Sequence, residues 1–131
     1  MEDFKQLAIQ IYRSFTAIYE NSHALVNRDE EVKYPYITYD LRTYSTLARN
    51  QENLVIDVQI FDNIKSYSRT YDVASLLKNH FKGRLIKDDS FHIRFDVQRG
   101  ATNFIHIPTS DPNIIRLEGT VQAKIDWREN R

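Results

Sequence analysis

The clearest pattern in the chain is a strict alternation of apolar and polar residues from Ile114 to Arg128. The apolar positions are Ile115, Leu117, Val121, Ala123, Ile125 and Trp127, and Gly119 occupies the one apolar position left over. A period of two predicts a β-strand with one face in the core. Fully extended, this segment spans roughly 50 Å, whereas a compact chain of this size has a radius of gyration of about 14 Å. We therefore expect the strand either to bend near Gly119 or to lie partly against a neighbouring copy.

Two other segments have apolar residues at helical spacing. The first set comprises Phe4, Leu7, Ala8, Ile11, Phe15, Ile18 and Tyr19, and the second comprises Tyr67, Thr70, Tyr71, Ala74, Leu77 and Phe81. These spacings predict an amphipathic helix over Glu2 to Glu20 and a second one over Ser66 to Lys82. Gly83 follows the second helix and is expected to form its C-terminal cap.

The remaining patterns predict four more strands and the turns between them. The first strand begins at Tyr34 to Asp40 and extends towards Leu47, and the others are Leu54 to Phe61, Phe91 to Val97, and Asn103 to Ile107. Turns are expected at Arg49 to Asn53 and at Arg99-Gly100, and loops at Asn21 to Lys33 and Thr109 to Asn113. The order is helix, two strands, helix, three strands. We predict one α+β domain over residues 1–131, with a mostly antiparallel sheet and both main helices packed on one face.

Composition excludes several classes of function. The chain has 131 residues and no cysteine, so disulfide frameworks and thiolate zinc sites are excluded, and a reducing cytoplasm is the expected place of synthesis. Lysine plus arginine equals aspartate plus glutamate at 18 each, and non-specific nucleic-acid binding usually needs a basic excess. The first 19 residues follow a helical pattern and lack the uninterrupted apolar run of a signal peptide or membrane span.

Catalytic motifs are nearly absent from the sequence. The chain has three glycines, and it contains no phosphate-binding loop, Gly-x-Ser-x-Gly turn or His-Glu-x-x-His. His92 and His106 could face each other on adjacent strands across the turn from Arg99 to Asn103, with Asp96 beside them, as a metal or proton-transfer site. Ordinary polar positions on paired strands explain them better, and Asp88-Asp89 fits a solvated turn. We predict no catalytic, cofactor or metal site.

Tyrosines cluster in the first predicted strand, at Tyr34, Tyr36, Tyr39 and Tyr44. Exposed aromatic residues on a sheet can stack on the bases of single-stranded nucleic acid. The cluster lacks the flanking glycines of RNA-binding sheets, and little positive charge surrounds it. Core or subunit packing is therefore the preferred interpretation, with Tyr36 and Tyr39 as candidate contacts between subunits.

The polar side of the last strand carries charges of both signs, at Arg116, Glu118, Lys124, Asp126 and Arg128. Such a row can simply be solvated, but it can also pair in register with another copy of the chain. We predict these five residues as a subunit interface. A further row of basic residues, at Arg84, Lys87, Arg94 and Arg99, is more typical of solubility charges.

The amphipathic first helix, the strand opening Lys33-Tyr-Pro-Tyr-Ile-Thr-Tyr-Asp40 and the order of elements together resemble the tail terminator proteins of long-tailed bacteriophages, also called neck terminator or tail completion proteins. The resemblance spans nearly the whole chain in size and topology. It implies an α+β fold without enzymatic activity.

That resemblance also implies partners and a location. Members form a hexameric ring on the head-proximal end of the tail tube, stop tube polymerisation and create the surface that joins the head connector, or head completion, protein. Genome DNA passes through the ring without specific binding, and no membrane is involved. The implied location is the tail or neck of the virion, assembled in the bacterial cytoplasm. The alternative from the residues is a small cytosolic ligand-binding or enzyme domain of unknown substrate.

Overall fold

The computed structural model describes residues 2–46, 49–63, 67–96 and 101–128, with the side chains of residues 2 and 3 excepted. This part of the chain forms two helices and seven strands, which confirms the α+β class. The elements are α1 (Glu2–Ile18), β1 (Ser22–Ala24), β2 (Tyr36–Ser45), β3 (Gln51–Asp62), α2 (Ser68–Phe81), β4 (Leu85–Lys87), β5 (Phe91–Phe95), β6 (Ala101–His106) and β7 (Ile115–Trp127). None of the helices described is long and apolar enough to cross a membrane.

All seven strands belong to one sheet, in the order β1-β2-β3-β7-β5-β4, with β6 also paired to β7. Only β1 and β2 run parallel among the described pairings, so the sheet is mixed and mostly antiparallel. β3 lies along one edge of β7 from Asp62 opposite Ile115 to Gln51 opposite Asp126. The centre of the fold is therefore a pair of long strands.

The core lies on one face of this sheet. Alternate residues of β3 and β7 face it in register, with Leu54 opposite Ala123 and Ile60 opposite Leu117. Phe15 of α1 and Phe81 of α2 both belong to this core, and their ring centroids are 5.4 Å apart. The ring of Phe81 in turn lies 4.8 Å from that of Phe95 on β5. The helical spacing in the sequence predicted most of the buried side of both helices, but Phe4 of α1 and Tyr71 of α2 are exposed.

The long last strand does not break at Gly119, because β7 is continuous over 13 residues. Its length is matched by the 12-residue β3 on one edge, and β5 and β6 follow one another along the other. The ring of Phe104 occupies the space where a side chain at Gly119 would lie. Phe104 reaches this position through an irregularity in β6 between Thr102 and Ile105, where Asn103 adopts a φ of 60°. An aromatic ring from the neighbouring strand therefore fills the missing apolar position.

The strand prediction was incomplete in three places, one of which is the predicted turn at Arg49 to Asn53, because β3 begins at Gln51. β1 and β4 were missed; each has three residues. The predicted second helix begins outside the described residues, at Ser66, but its end is confirmed: α2 stops at Phe81 and Gly83 adopts a φ of 66°. Leu47, Val97 and the Arg99-Gly100 turn also lie outside the described residues.

The two histidines proposed to face each other do not do so. β5 and β6 do not pair side by side; both pair with the same edge of β7, one after the other. His92 lies opposite Asp126 and His106 opposite Leu117. These two partners are nine residues apart on β7, which is about 30 Å. The suggested shared site is therefore wrong, and the described residues contain no group of three or more side chains suited to hold a metal.

Candidate functional site

The candidate site is the face of the sheet opposite the helices, here called the helix-free face. It is formed by alternate residues of the three long strands. Its members on β2, β3 and β7 are Tyr36, Thr38, Asp40, Arg42, Tyr44, Gln51, Asn53, Val55, Asp57, Gln59, Phe61, Arg116, Glu118, Thr120, Gln122, Lys124 and Asp126. Most of these side chains are exposed or half-buried. Period-two alternation therefore gives the same strands an apolar core face and a charged outer face.

Ion pairs tie neighbouring strands together across this face. Arg42 on β2 approaches Asp57 on β3 at 2.8 Å, from Nε to Oδ2. Arg94 on β5 approaches Asp126 on β7 at the same distance, also from Nε to Oδ2. Arg116 and Glu118 pair with each other along β7. Because these pairs are partly exposed, each contributes only about 0 to 1 kcal/mol to stability.

A hydrogen-bonded row connects three strands at one end of the face. Thr38 donates from Oγ1 to Oε1 of Gln59 at 3.2 Å. Gln59 donates from Nε2 to Oε2 of Glu118 at 3.1 Å. Since Glu118 also pairs with Arg116, the row fixes the orientation of a carboxylate that the sequence predicted at the interface.

Aromatic side chains form the neighbouring corner of the face. The ring of Tyr36 stacks on that of Phe61 with centroids 4.9 Å apart and planes inclined by 18°. Cζ of Arg116 lies 5.9 Å from the Phe61 ring centroid. Burial, and then the neighbouring Tyr34, raise the pKa of Tyr36. Tyr36 is therefore held within the predicted surface, with one side of its ring already covered.

Tyr39 belongs to the core and not to this surface. Its side chain is 4% exposed, and its ring stacks on Phe15 with centroids 4.3 Å apart and planes inclined by 6°. Burial, and then nearby Tyr12, raise the pKa of Tyr39 to about 12. The placement of Tyr39 at a subunit contact is corrected accordingly, because its side chain is not accessible in the folded chain.

The four other predicted residues of β7 share the helix-free face, namely Arg116, Glu118, Lys124 and Asp126. Burial tends to raise the pKa of Asp126, but hydrogen bonds from Gln51 and Arg94 and the nearby positive charge hold it below its ordinary value. Arg128 follows the strand, and its backbone N–H donates to the carbonyl oxygen of Ser90 at 3.0 Å. The structure thus brings the four predicted β7 residues together on one face of the sheet.

Two depressions mark the helix-free face. The acidic depression, of about 520 Å³, contains Asp40, Asp57 and Glu118 as its charged lining residues, with Leu25 and Ile105 among its apolar ones. The basic depression, of about 640 Å³, contains Arg94 and Lys124 together with Asp96. Leu25 and Ile105 are 60% and 58% exposed. The helix-free face therefore has an acidic depression, a basic depression and exposed apolar side chains next to one another.

Sequence analysis missed the parts of this face that lie on β2 and β3. Asp40, Arg42, Val55 and Asp57 face the same side as the predicted residues of β7. The signal was available, because Leu54, Ile56 and Val58 alternate along the predicted strand, which places the residues between them on the other side. Asp88 has a local role: its Oδ1 accepts a hydrogen bond from Gln10 at 3.3 Å and its Oδ2 one from the backbone of Ser90 at 3.2 Å.

Comparison with known proteins gives a fold but no function. No protein-family model matches the chain, and no curated protein matches it. Among the solved structures that are similar, one has a TM-score of 0.63 and 14% sequence identity, over 92% of this chain and 96% of that one, and its name states no function. At this identity the likeness establishes a shared fold alone.

Proposed function

We propose that this protein is a structural protein of the bacteriophage virion: a tail terminator that forms a ring at the head-proximal end of the tail. The observation that carries the proposal is the helix-free face. Long strands present accessible charges of both signs there, beside exposed apolar side chains, as protein contact surfaces do. The sequence resemblance to tail terminators supplies the identity of the assembly.

In this proposal the chain acts by binding and not by catalysis. A hexameric ring covers the last tail tube subunits, ends tube growth and offers its other side to the head connector. In the ring, exposed charges of β7 such as Lys124 contact a neighbouring subunit. The net charge of zero suits a ring through which DNA passes without being retained.

A small ligand-binding or enzyme domain is the alternative from another class. Its best location would be the acidic depression. Two of the three carboxylates there, Asp57 and Glu118, already form ion pairs with arginines. The described lining of that depression includes no histidine that could act as a base. These features favour a contact surface over a reaction site.

The test is a tail assembly reaction containing purified chain. Added to polymerising tail tube subunits, the protein should give tubes of limited length with a ring at one end, as seen by electron microscopy, and those tubes should join heads. Tubes that grow without limit and carry no ring would contradict the proposal. Location of the gene between head connector and tail tube genes would support it independently.

A further inference from the structure

The outer edge of β2 is open over the second half of the strand. β1 pairs only with the first half, from Ile37 to Tyr39, and its contact ends where the backbone N–H of Leu25 donates to the carbonyl oxygen of Tyr39. From Asp40 to Ser45, none of the strands that the structure describes lies on this side of β2. This part of the strand is therefore a free edge of the sheet.

The backbone of the open edge presents a row of hydrogen-bonding groups. Successive residues of an antiparallel strand direct their N–H and C=O groups to opposite sides. Ile37 and Tyr39 direct theirs towards β1, so Leu41, Thr43 and Ser45 direct theirs to the open edge. Within the described part of the chain, these groups have no backbone partner. Such a row is a template for one more extended strand.

The open edge lacks the features that usually protect an edge strand, which are shortness, bulges, proline and lysine. The register of β2 with β3 is regular along the whole strand, and Asp40 to Ser45 contains no proline or lysine. Arg42 directs its charge to Asp57 on β3 and not outwards. β4, at the other end of the sheet, has three residues and ends at Lys87. The β2 edge is therefore the one suited to accept a strand.

A second β2 fits this edge in an antiparallel register centred on Thr43. Thr43 then lies opposite its own counterpart, and Leu41 of each copy lies opposite Ser45 of the other, so that all the outward backbone groups exchange hydrogen bonds. The shared segment ends at Asp40, just before Leu25 occupies the edge. An axis at Arg42 would instead place two guanidinium groups opposite each other, which is unfavourable.

Side chains on the helix-free face are complementary in this register, because Arg42 of each copy meets Tyr44 of the other. These two side chains already contact each other within one chain: Nη1 of Arg42 donates to the Tyr44 hydroxyl at 2.6 Å, and Cζ lies 5.7 Å from the ring centroid. In the pair each guanidinium therefore lies near two tyrosine rings, a favourable cation–π arrangement. No like charges lie directly opposite each other.

We propose that β2 pairs edge to edge with β2 of a second copy of this chain, about a two-fold axis that passes through Thr43 perpendicular to the sheet. The copies lie side by side, so the helix-free face of each stays uncovered. A two-fold contact uses the same surface on both copies, whereas neighbours in a ring meet through two different surfaces. The pair is therefore separate from the ring and goes beyond the proposed function.

Removal of one outward N–H group tests the backbone contact. Thr43→Pro lacks this donor and leaves the ladder with β3 intact, since proline is tolerated where the N–H of an edge strand faces solvent. In sedimentation velocity, the unaltered chain should show a monomer–dimer equilibrium. Thr43→Pro should raise the dissociation constant at least about tenfold, because each copy loses a donor. Thr43→Val keeps the N–H group and is the control that should still pair.

Charges at the axis test the register. Thr43→Lys and Thr43→Glu each place like charges opposite each other in a homodimer, so each should weaken the pair. An equimolar mixture should restore it, because lysine then meets glutamate. These variants also carry the test if Thr43→Pro does not fold, and circular dichroism identifies any loss that is due to misfolding.

A cysteine at the axis tests the symmetry. The chain has no cysteine, so Thr43→Cys introduces the only thiol. In a hydrogen-bonded antiparallel pair it meets its counterpart with Cα atoms about 5.5 Å apart, within reach of a disulfide. Ser45→Cys is the control on the same edge, because its counterpart lies roughly 13 Å away along the ladder. Oxidation should therefore give covalent dimers of Thr43→Cys much faster than of Ser45→Cys.

Three results would overturn the pair: a chain that stays monomeric at every concentration, a folded Thr43→Pro chain that pairs as tightly as the parent, or equal cross-linking at the two cysteine positions. Dimers together with failure to cap tail tubes would leave the pair standing and overturn the terminator. Capped tubes from a monomeric chain would do the reverse. If, in addition, Thr43→Pro abolished capping, the edge would belong to a contact within the tail and not to a pair.

Discussion

The two faces of this sheet are built from the same strands yet differ in almost every physical respect. On β3, Ile56 is fully buried under the helices, while its neighbour Val55 lies on the helix-free face beside Arg42 and Gln122. Burial of apolar area holds the core face together, and each exposed ion pair on the other face adds little. Adjacent residues of one strand thus have different roles: one contributes to the stability of the fold and the next to the surface available for binding. Changes on the core face should unfold the chain, and changes on the helix-free face should alter what it binds.

The largest expected effect is on the core face, at Phe15. Its side chain is fully buried and stacks on Tyr39, so Phe15→Ala should lower the free energy of unfolding by about 3 to 5 kcal/mol. Denaturant titration measures this. Tyr12→Ala, at a half-exposed position of the same helix, is the control and should cost far less. A Phe15→Ala chain with the parent's midpoint would show that this face is not the core.

A smaller effect is expected where Phe104 covers Gly119. Gly119→Ala puts a methyl group where the Phe104 ring lies, and such overpacking costs about 1 to 3 kcal/mol. In a Phe104→Ala background the same substitution should cost less, because the space is then open. A double-mutant cycle measured by denaturant unfolding gives this coupling. Equal costs in both backgrounds would show that the ring does not restrict position 119.

On the helix-free face, reversal of Lys124 and Arg128 to glutamate should change the free energy of unfolding by less than about 0.5 kcal/mol. The same double variant should weaken the proposed ring, since small penalties repeat at every interface of a closed ring. Overlong tubes, or tails that fail to join heads, are the expected readout. Normal tube length and joining by the folded double variant would exclude these charges as the contact.

The smallest effect concerns pH and Asp126. Its pKa is below the ordinary value of 3.8 in the folded chain, so the carboxylate stabilises the fold above that value. This contribution is lost as the pH falls below 3.8 through the folded pKa. Asp126→Asn should therefore be less stable than the parent at neutral pH and equal to it in strong acid, with a small difference because the group is partly exposed. Asp89→Asn, in an exposed turn, is the control; a difference that persists in strong acid would contradict this assignment.

Long elements were predictable from sequence because their patterns repeat several times. The apolar pattern repeats several times in each helix, in the strand that includes Leu54 to Phe61, and in the 13-residue β7. The number of repeats is large enough to show which side of each element is buried. The charged side of β7 followed directly from that periodicity. The candidate face was therefore found on the strand with the longest alternation.

Short and irregular elements were not predictable in the same way. β1 and β4 are too short to show a period, and they exist because a neighbouring strand offers hydrogen bonds. β5 and β6 were considered as adjacent strands, but both pair with the same edge of β7, because alternation does not reveal which edge a strand joins. Tyr39 was misplaced because it was grouped with other tyrosines, although it alternates in phase with buried Ile37.

The central pairing of β3 with β7 also bears on how the protein folds. The residues that it joins are 53 to 75 positions apart in the chain, so a large loop must close before their contacts form. Chains dominated by such distant pairings fold in milliseconds to seconds, orders of magnitude more slowly than helical bundles of similar stability. Until β7 docks, β3 has an unpaired edge and an apolar row that includes Leu54 and Ile60. We expect the incompletely folded chain to be most prone to aggregation during that interval.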